Sequence, residues 1–534
     1  MRKPPVLTAD RAAALIPDGA TVAVSSSSAI GLPEHLLAAI GAHFETTGHP
    51  RGLTTLHAIN SGDMSDGLPG VDHLAKPGLL SRIFGGSYPA GAASMAKPAV
   101  REMLETDQIA AYLIPTGLMF QLQRAAAARQ PGILTDVGIG SYLDPRLEGG
   151  RMNRVCPEFV RLMRIDDHEW LFLPAIPVDV ALIRATTADP FGNLTFEDEA
   201  ALLGTLDAAY AAHNNGGLVI AQVKRLRPDH HPARTVHVPG ALVDAVVLDP
   251  TQRQVAGIEH DPALAGMAHK PIDRIDTVEF GIQKVIARRA ALELAQYDIA
   301  NLGFGISANV PRVLLEEGLH GEVTWVIEQG AVGGLPVTGK PFGAAYNPDA
   351  IVTAPDQFTL LQGGGIDIAL LSFLEVAANG DVNVSLMPSA THVTAGVGGF
   401  ADITAHARHL VFSGQFTAGR KDLRIADGRL QIVRDGSIAK FLPQIAQVTW
   451  SGGIGRRRGQ QVRYVTERCV LELRPAGLTV IELAPGIDLR RDVLDRAGAE
   501  LLVAGDLHEM DPRIFRPEPM GLRLAPPRRP LVQG

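Results

Sequence analysis

The stretch TWVIEQGAVGG, residues 324–334, places an acid, Glu328, directly after four apolar or β-favouring residues and follows it with Gly330, Gly333 and Gly334. A carboxylate is ionised near neutral pH without help from a base, so Glu328 is equipped to act as a nucleophile as it stands. Its target must then be activated already. Thioesters and anhydrides meet that condition, whereas ordinary esters and amides call for an activated serine or cysteine. The glycines remove Cβ atoms around the acid, which admits positive φ and lets the chain of a ligand pass close to the backbone. Taken alone, the same stretch also fits a glutamate capping a tight turn with no chemistry attached.

A second cluster, TAGVGGFADI at 394–403, sets Gly396, Gly398 and Gly399 ahead of an apolar segment, an arrangement suited to backbone N–H groups aimed at an anion or a developing oxyanion. LQGGGIDIAL at 361–370 adds Gly363, Gly364 and Gly365 directly before a further apolar run. Neither forms a G-x-G-x-x-G fingerprint with a ribose-binding acid downstream. A nucleophilic carboxylate, an amide oxyanion site and room for a long thin substrate are together the parts of an acyl-transfer site.

These residues need strands to deliver them, and the chain repeats one delivery pattern twice. TVAVSSSSAIGLPEHLLAAI (21–40) and IANLGFGISANVPRVLLEEG (299–318) each give a short strand, a loop of small residues and a proline, Pro33 or Pro311, opening an apolar-periodic helix. DVALIRATTADPFGNLTF (179–196) and DIALLSFLEVAANGDVNVS (367–385) each run from an aspartate through an apolar strand to a glycine turn and a second strand. Matching order at both places predicts two copies of one α/β unit, with an enlarged middle in the first. Short apolar strands such as 217–223, 244–249 and 409–416, spaced by helical stretches, predict mostly parallel open sheets with flanking helices. Residues 1–255 are expected to form the first α/β domain and 279–534 the second, which carries the glutamate. Between them, 256–278 is expected to be a tether packed on the surface. In such units functional groups collect at the carboxyl ends of parallel strands, where Glu328 falls.

Length and composition frame this reading. The chain has 534 residues, 46% hydrophobic and 20% charged, a folded balance large enough for two cores. A formal net charge of −8 gives no footprint for nucleic acid, and the basic GRRRGQQVR at 455–463 reads as a solvated loop. Cys156 and Cys469 are too few for a disulfide framework and are read as inert, in keeping with a reducing cytoplasm. The first nineteen residues, MRKPPVLTADRAAALIPDG, lack the apolar core of a signal peptide, and no long apolar run predicts a membrane span.

The motifs resemble family I coenzyme A transferases, and most closely the long single-chain bacterial acetate or propionate enzymes related to succinyl-CoA:3-ketoacid CoA-transferase. The likeness covers nearly the whole chain, through SYLDPRLEGGRMN (141–153), ADPFGNLTFEDEA (188–200), NNGGLVIAQV (214–223), VIEQGAVGGLP (326–336), GVGGFADI (396–403) and VFSGQFTAG (411–419). It implies that Glu328 is the nucleophile, forming an acyl-glutamyl anhydride and then a glutamyl-CoA thioester in ping-pong fashion. It implies an oxyanion amide at Gly398 with Gly399 beside it. Acyl-CoA and a carboxylic acid would be the substrates, coenzyme A would be a substrate rather than a bound cofactor, and a homo-oligomer, dimer or tetramer, is expected. An acyl-CoA hydrolase on the same scaffold and a non-catalytic ligand-binding relative are the alternatives.

The sequence departs from that family where IPTGL (114–118) puts Thr116 in place of the usual glutamine, where the first loop is SSSSAIG (25–31), and where LLSFLEVAANGD (370–381) lacks glycine and aspartate at the positions usual in the family. These changes touch the substrate pocket rather than the nucleophile. Asn347 reads either as an orienting group for the carbonyl or as a turn former before Pro348. The histidines, including those at 230 and 231 and His392, show no metal-ligand spacing, so no metal is expected. Glu316 and Glu317 read as a solvated helix surface, and Glu197, Asp198 and Glu199 as a solvated turn.

Overall fold

The computed structural model describes residues 3–88, 97–387 and 396–529. Two large sheets divide the strands between them. The first runs, in spatial order, Val6–Leu7, Ala245–Leu248, Leu218–Leu226, Val180–Ala188, Thr21–Val24, Leu53–His57, Leu80–Gly85 and Ala110–Leu113. Every neighbouring pair along that path is parallel, and Leu194–Thr195 folds back antiparallel on Val180–Ala188. The second sheet runs Thr324–Trp325, Ile299–Leu302, Ile368–Ser372, His409–Ser413 and Gln461–Val465 in parallel. It then adds Cys469–Arg474 and Gly477–Leu483 antiparallel and closes with Leu502–Glu509 parallel to its neighbour. These are the open, mainly parallel sheets with flanking helices that the strand pattern predicts.

Central strands explain the unbroken apolar runs. Val180–Ala188 is buried at all nine positions because both its faces are covered, so its sequence carries no alternation. The two aspartates that open the repeated pieces make the same contact. The Asp179 carboxylate accepts the Thr21 N–H at 2.8 Å, and the Asp367 carboxylate accepts the Ile299 N–H at 3.0 Å. Each therefore pins the start of one repeated strand to the start of its neighbour. The proline signal is less regular. Pro33 caps the helix Glu34–Thr47, whereas Pro311 lies inside the first turn of Val310–Glu316, after a short 3-10 turn.

The segment 256–278 is anchored rather than loose. Ala263 and Leu264 are buried, Leu264 in a small apolar cluster with Ile30, Leu203, Val337 and Ala344, and Asp261 pairs with Lys270 at 3.0 Å. Three surface readings differ from the structure. Glu316 accepts from the buried Lys284 at 2.6 Å, and Glu317 accepts the Met520 and Leu522 amides, because the C-terminal segment lies over this helix. The basic run at 455–463 begins in the helix Gly452–Arg457, and Arg458 donates to the Ala405 carbonyl and to Asp136. Glu199 is buried against Arg184 at 2.5 Å, while Glu197 and Asp198 share Arg225.

Candidate active site

Glu328 sits at the tip of a tight reversal. Past Thr324–Trp325, an edge strand of the second sheet, the chain turns so that Gly330 N–H donates to the Ile327 carbonyl at 2.9 Å and Gly333 N–H to the Trp325 carbonyl at 2.7 Å. Gly330, Gly333 and Gly334 have φ of +122°, +72° and +68°, the region that disfavours side chains. A Cβ there would lie 2.1 Å from the Val352 carbonyl, 1.8 Å from an Asp349 carboxylate oxygen and 2.3 Å from the Tyr346 carbonyl. The turn alone therefore requires all three glycines. Gln357 braces it by donating to the Ile327 and Ala331 carbonyls at 3.1 and 3.3 Å.

Across the junction stands the turn before the helix Phe400–His406. Gly399 N–H donates to Glu328 Oε2 at 3.0 Å. A Cβ on Gly399 would meet that oxygen at 2.5 Å and the Phe358 ring at 2.7 Å, so only glycine lets the amide approach. Gly398 is engaged differently. Its N–H donates to the Gly86 carbonyl at 2.8 Å, and its carbonyl accepts from Thr116 N–H at 3.1 Å. Of the two amides expected beside the reacting carbonyl, Gly399 is thus the one presented to the carboxylate, and Gly398, at φ +53°, supplies the turn. Gly396 bridges to Ser87. The first sheet contributes its carboxyl edge, since Gly86 and Thr116 follow the strands Leu80–Gly85 and Ala110–Leu113.

Burial pushes the Glu328 carboxyl up from its ordinary 4.5 to about 7, the charge of Asp402 pushes the same way, and the Gly399 hydrogen bond opposes both. Asp402 is fully buried and likewise pushed up to about 7 by burial, although Gly117 N–H and the Gln362 amide donate to it at 2.9 and 2.7 Å. Two acids in one dry site do not both ionise cheaply, so the pair titrates as a unit near neutrality. A carboxylate that ionises only near pH 7 is a stronger nucleophile than an exposed one, and more easily kept protonated.

The serine-rich first loop faces the same turn. Gln329, next to the glutamate, donates from Nε2 to Ser27 Oγ at 3.0 Å. Ser26 and Ser61 hydroxyls lie 2.5 Å apart, and Ser61 lies 2.6 Å from Nδ1 of His57, whose burial pushes it down to about 3 and keeps it neutral. Thr116 is fully buried, and its hydroxyl has no hydrogen-bond partner among the described residues.

Other expected positions lie elsewhere. Asn347, at φ +53°, exchanges two hydrogen bonds with Lys270, accepting at 2.7 Å and donating at 2.9 Å, so its amide is spent on the tether. Gly363, Gly364 and Gly365 end the helix Ala354–Gln362 and pack against Thr359, His406 and Leu360. His392 and the first two residues of the 394–403 motif fall outside the described residues. Among the described residues no group of three or more His, Cys, Asp or Glu is placed to hold a metal, and no helix is long and apolar enough to cross a membrane. Sequence reasoning singled out the loop that holds Ser27 but none of Asp402, Gln362 and Gln329. Asp402 left one trace, a lone charge in the apolar segment FADI.

A buried carboxylate met by a backbone amide stands at the carboxyl edges of two open α/β sheets, where such folds gather their functional groups. Residues 6–249 match the coenzyme A transferase family. The chain is 39% identical to caffeate CoA-transferase of Acetobacterium woodii, over 95% of this chain and 97% of that one. It is 38% identical to acetate CoA-transferase YdiF of Escherichia coli (strain K12), over 97% of each. Among solved structures, the acyl-CoA transferase apoenzyme of Escherichia coli O157:H7 superposes with a TM-score of 0.91, 36% identity and 98% coverage of both chains. The chain belongs to the coenzyme A transferase family, and it is a CoA-transferase.

Proposed function

We propose that the enzyme moves coenzyme A from an acyl-CoA to a carboxylate acceptor such as acetate, with Glu328 as the covalent relay. The Glu328 carboxylate attacks the thioester carbonyl and CoA leaves as thiolate, giving an acyl-glutamyl anhydride. The thiolate then attacks the glutamyl carbonyl, which releases the first acid as a carboxylate and leaves glutamyl-CoA. The acceptor carboxylate displaces the thiolate to form a second anhydride. Attack of the thiolate on the new acyl carbonyl regenerates Glu328 and yields the new acyl-CoA. Each step exchanges one acyl bond for another, so no oxidant or water is consumed.

The observation that carries this reading is the Gly399 N–H donating to the Glu328 carboxylate at 3.0 Å, in a site too crowded there for any Cβ. An amide aimed at that oxygen is placed to steady charge as the carbonyl becomes tetrahedral. A related enzyme of Escherichia coli O157:H7, at TM-score 0.89 and 36% identity, was solved as a thioester complex with CoA, which supports the same intermediate here. The test is to follow CoA-ester chemistry with and without acetate. Transfer predicts that acyl-CoA is consumed only when a carboxylate is supplied, with acetyl-CoA as product. Equal CoA release in both arms identifies a hydrolase and overturns the proposal.

A further inference from the structure

Glu328 is not the only carboxylate at the junction. Asp402 lies in the first turn of Phe400–His406, fully buried, and among the described residues no lysine, arginine or histidine pairs with it. A buried carboxylate without a cation is retained at a cost in stability. Its hydrogen bonds reach across the protein. Gly117 N–H, in the first turn of the helix Thr116–Ala127, donates to one oxygen at 2.9 Å, and the Gln362 amide donates to the other at 2.7 Å. Gln362 in turn accepts from Gln121 at 2.6 Å, one helical turn beyond Gly117. The contact is tight, because a Cβ on Gly117 would lie 2.7 Å from the Asp402 carboxylate and 2.8 Å from Phe358, the ring that also flanks Gly399.

We propose that Asp402 is a positioning residue for the Glu328 reaction, holding the Thr116–Gly117 helix end against the Gly398–Gly399 turn so that the Gly399 amide stays aimed at the nucleophile. The inference rests on Glu328 being that nucleophile. Two residues separate Gly399 from Asp402, and the turn between them is fixed at both ends: Thr116 N–H holds the Gly398 carbonyl, and Gly117 N–H holds Asp402. The acid also acts electrostatically. Glu328 faces it from the turn after Thr324–Trp325, and Tyr142 faces it from the 136–150 loop. Gly117 and Leu118 face it as amides of the first helix and Gln362 as an amide of the second, while His406 on its own helix is paired with Asp136. With several donors on Asp402 and one on Glu328, the shared negative charge rests on Asp402 first, which delays ionisation of the nucleophile.

The test is Asp402→Asn, which keeps shape and removes charge, assayed as kcat and KM for acyl-CoA from pH 5 to 9. The expected result is a kcat lower by roughly tenfold or more with KM within about twofold, and an acid limb of kcat/KM displaced to lower pH by about one unit. A structural role alone would lower the amount of active enzyme and leave the limb in place, and that outcome overturns the proposal. Glu328→Gln, run alongside, separates the two layers. If it retains full turnover, the nucleophile reading has failed; if it is dead while Asp402→Asn matches wild type in rate and profile, only this inference has. Should Asp402→Asn not fold, Gln362→Leu, which removes one of the two donors holding Asp402, takes its place: a lowered kcat with KM within about twofold is expected, and a wild-type kcat overturns the proposal.

Discussion

Glu328→Gln should make the protein more stable at alkaline pH, and by an amount that can be worked out. In the folded chain the carboxyl is pushed from 4.5 to about 7, so between those values the folded state holds a proton that the unfolded chain has released. Stability therefore falls as pH rises through that window and levels off above it. At about 1.4 kcal/mol per pH unit, the interval comes to about 3 kcal/mol for the ionised form. Glutamine lacks this charge but keeps an oxygen to accept the Gly399 N–H, and its added amide, if unpaired, costs about 1 kcal/mol. For so long a chain roughly 1 kcal/mol corresponds to roughly 1 °C in Tm. Melting temperatures of both proteins in matched buffers at pH 4.5 and 8.5 test this. The variant's advantage should grow by roughly 3 °C between the two. An advantage that does not change with pH would refute a strained, late-ionising carboxyl at 328.

Two further substitutions probe the walls of the site. Gly399→Ala places a Cβ 2.5 Å from Glu328 Oε2, so kcat should fall by about 100-fold or more while far-ultraviolet circular dichroism is unchanged. Ser27→Ala removes the acceptor of the Gln329 amide, buried on the residue next to the nucleophile, so kcat/KM should drop by roughly five- to a hundredfold, whereas Ser27→Thr, which restores a hydroxyl, should recover most of it.

Glu328 was legible because its signal is local: an acid at a strand end beside glycines whose positive φ the turn demands. Parallel sheets were legible for a similar reason, since strands covered on both faces carry unbroken apolar runs. What the sequence hid is contact over distance. Ser27 meets Gln329 across 302 positions and Gly117 meets Asp402 across 285, and no periodicity records such pairs. In the sequence Asp402 is only a lone charge in an apolar segment, and it takes the helix opposite to make it a buried group with no cation among the described residues. For Asn347 the sequence left two readings open, and its positive φ and its hydrogen bonds to Lys270 fit the turn former. Glu316 looked solvated because helical spacing cannot show that a distant C-terminal segment and a neighbouring helix cover it.

Incubation with acyl-CoA followed by borohydride trapping and peptide mass spectrometry addresses the central claim most directly. The account predicts reduction of one residue, Glu328, to the alcohol, dependent on acyl-CoA and lost when excess carboxylate is present during turnover. An active enzyme that never acquires a modification at 328 would contradict it.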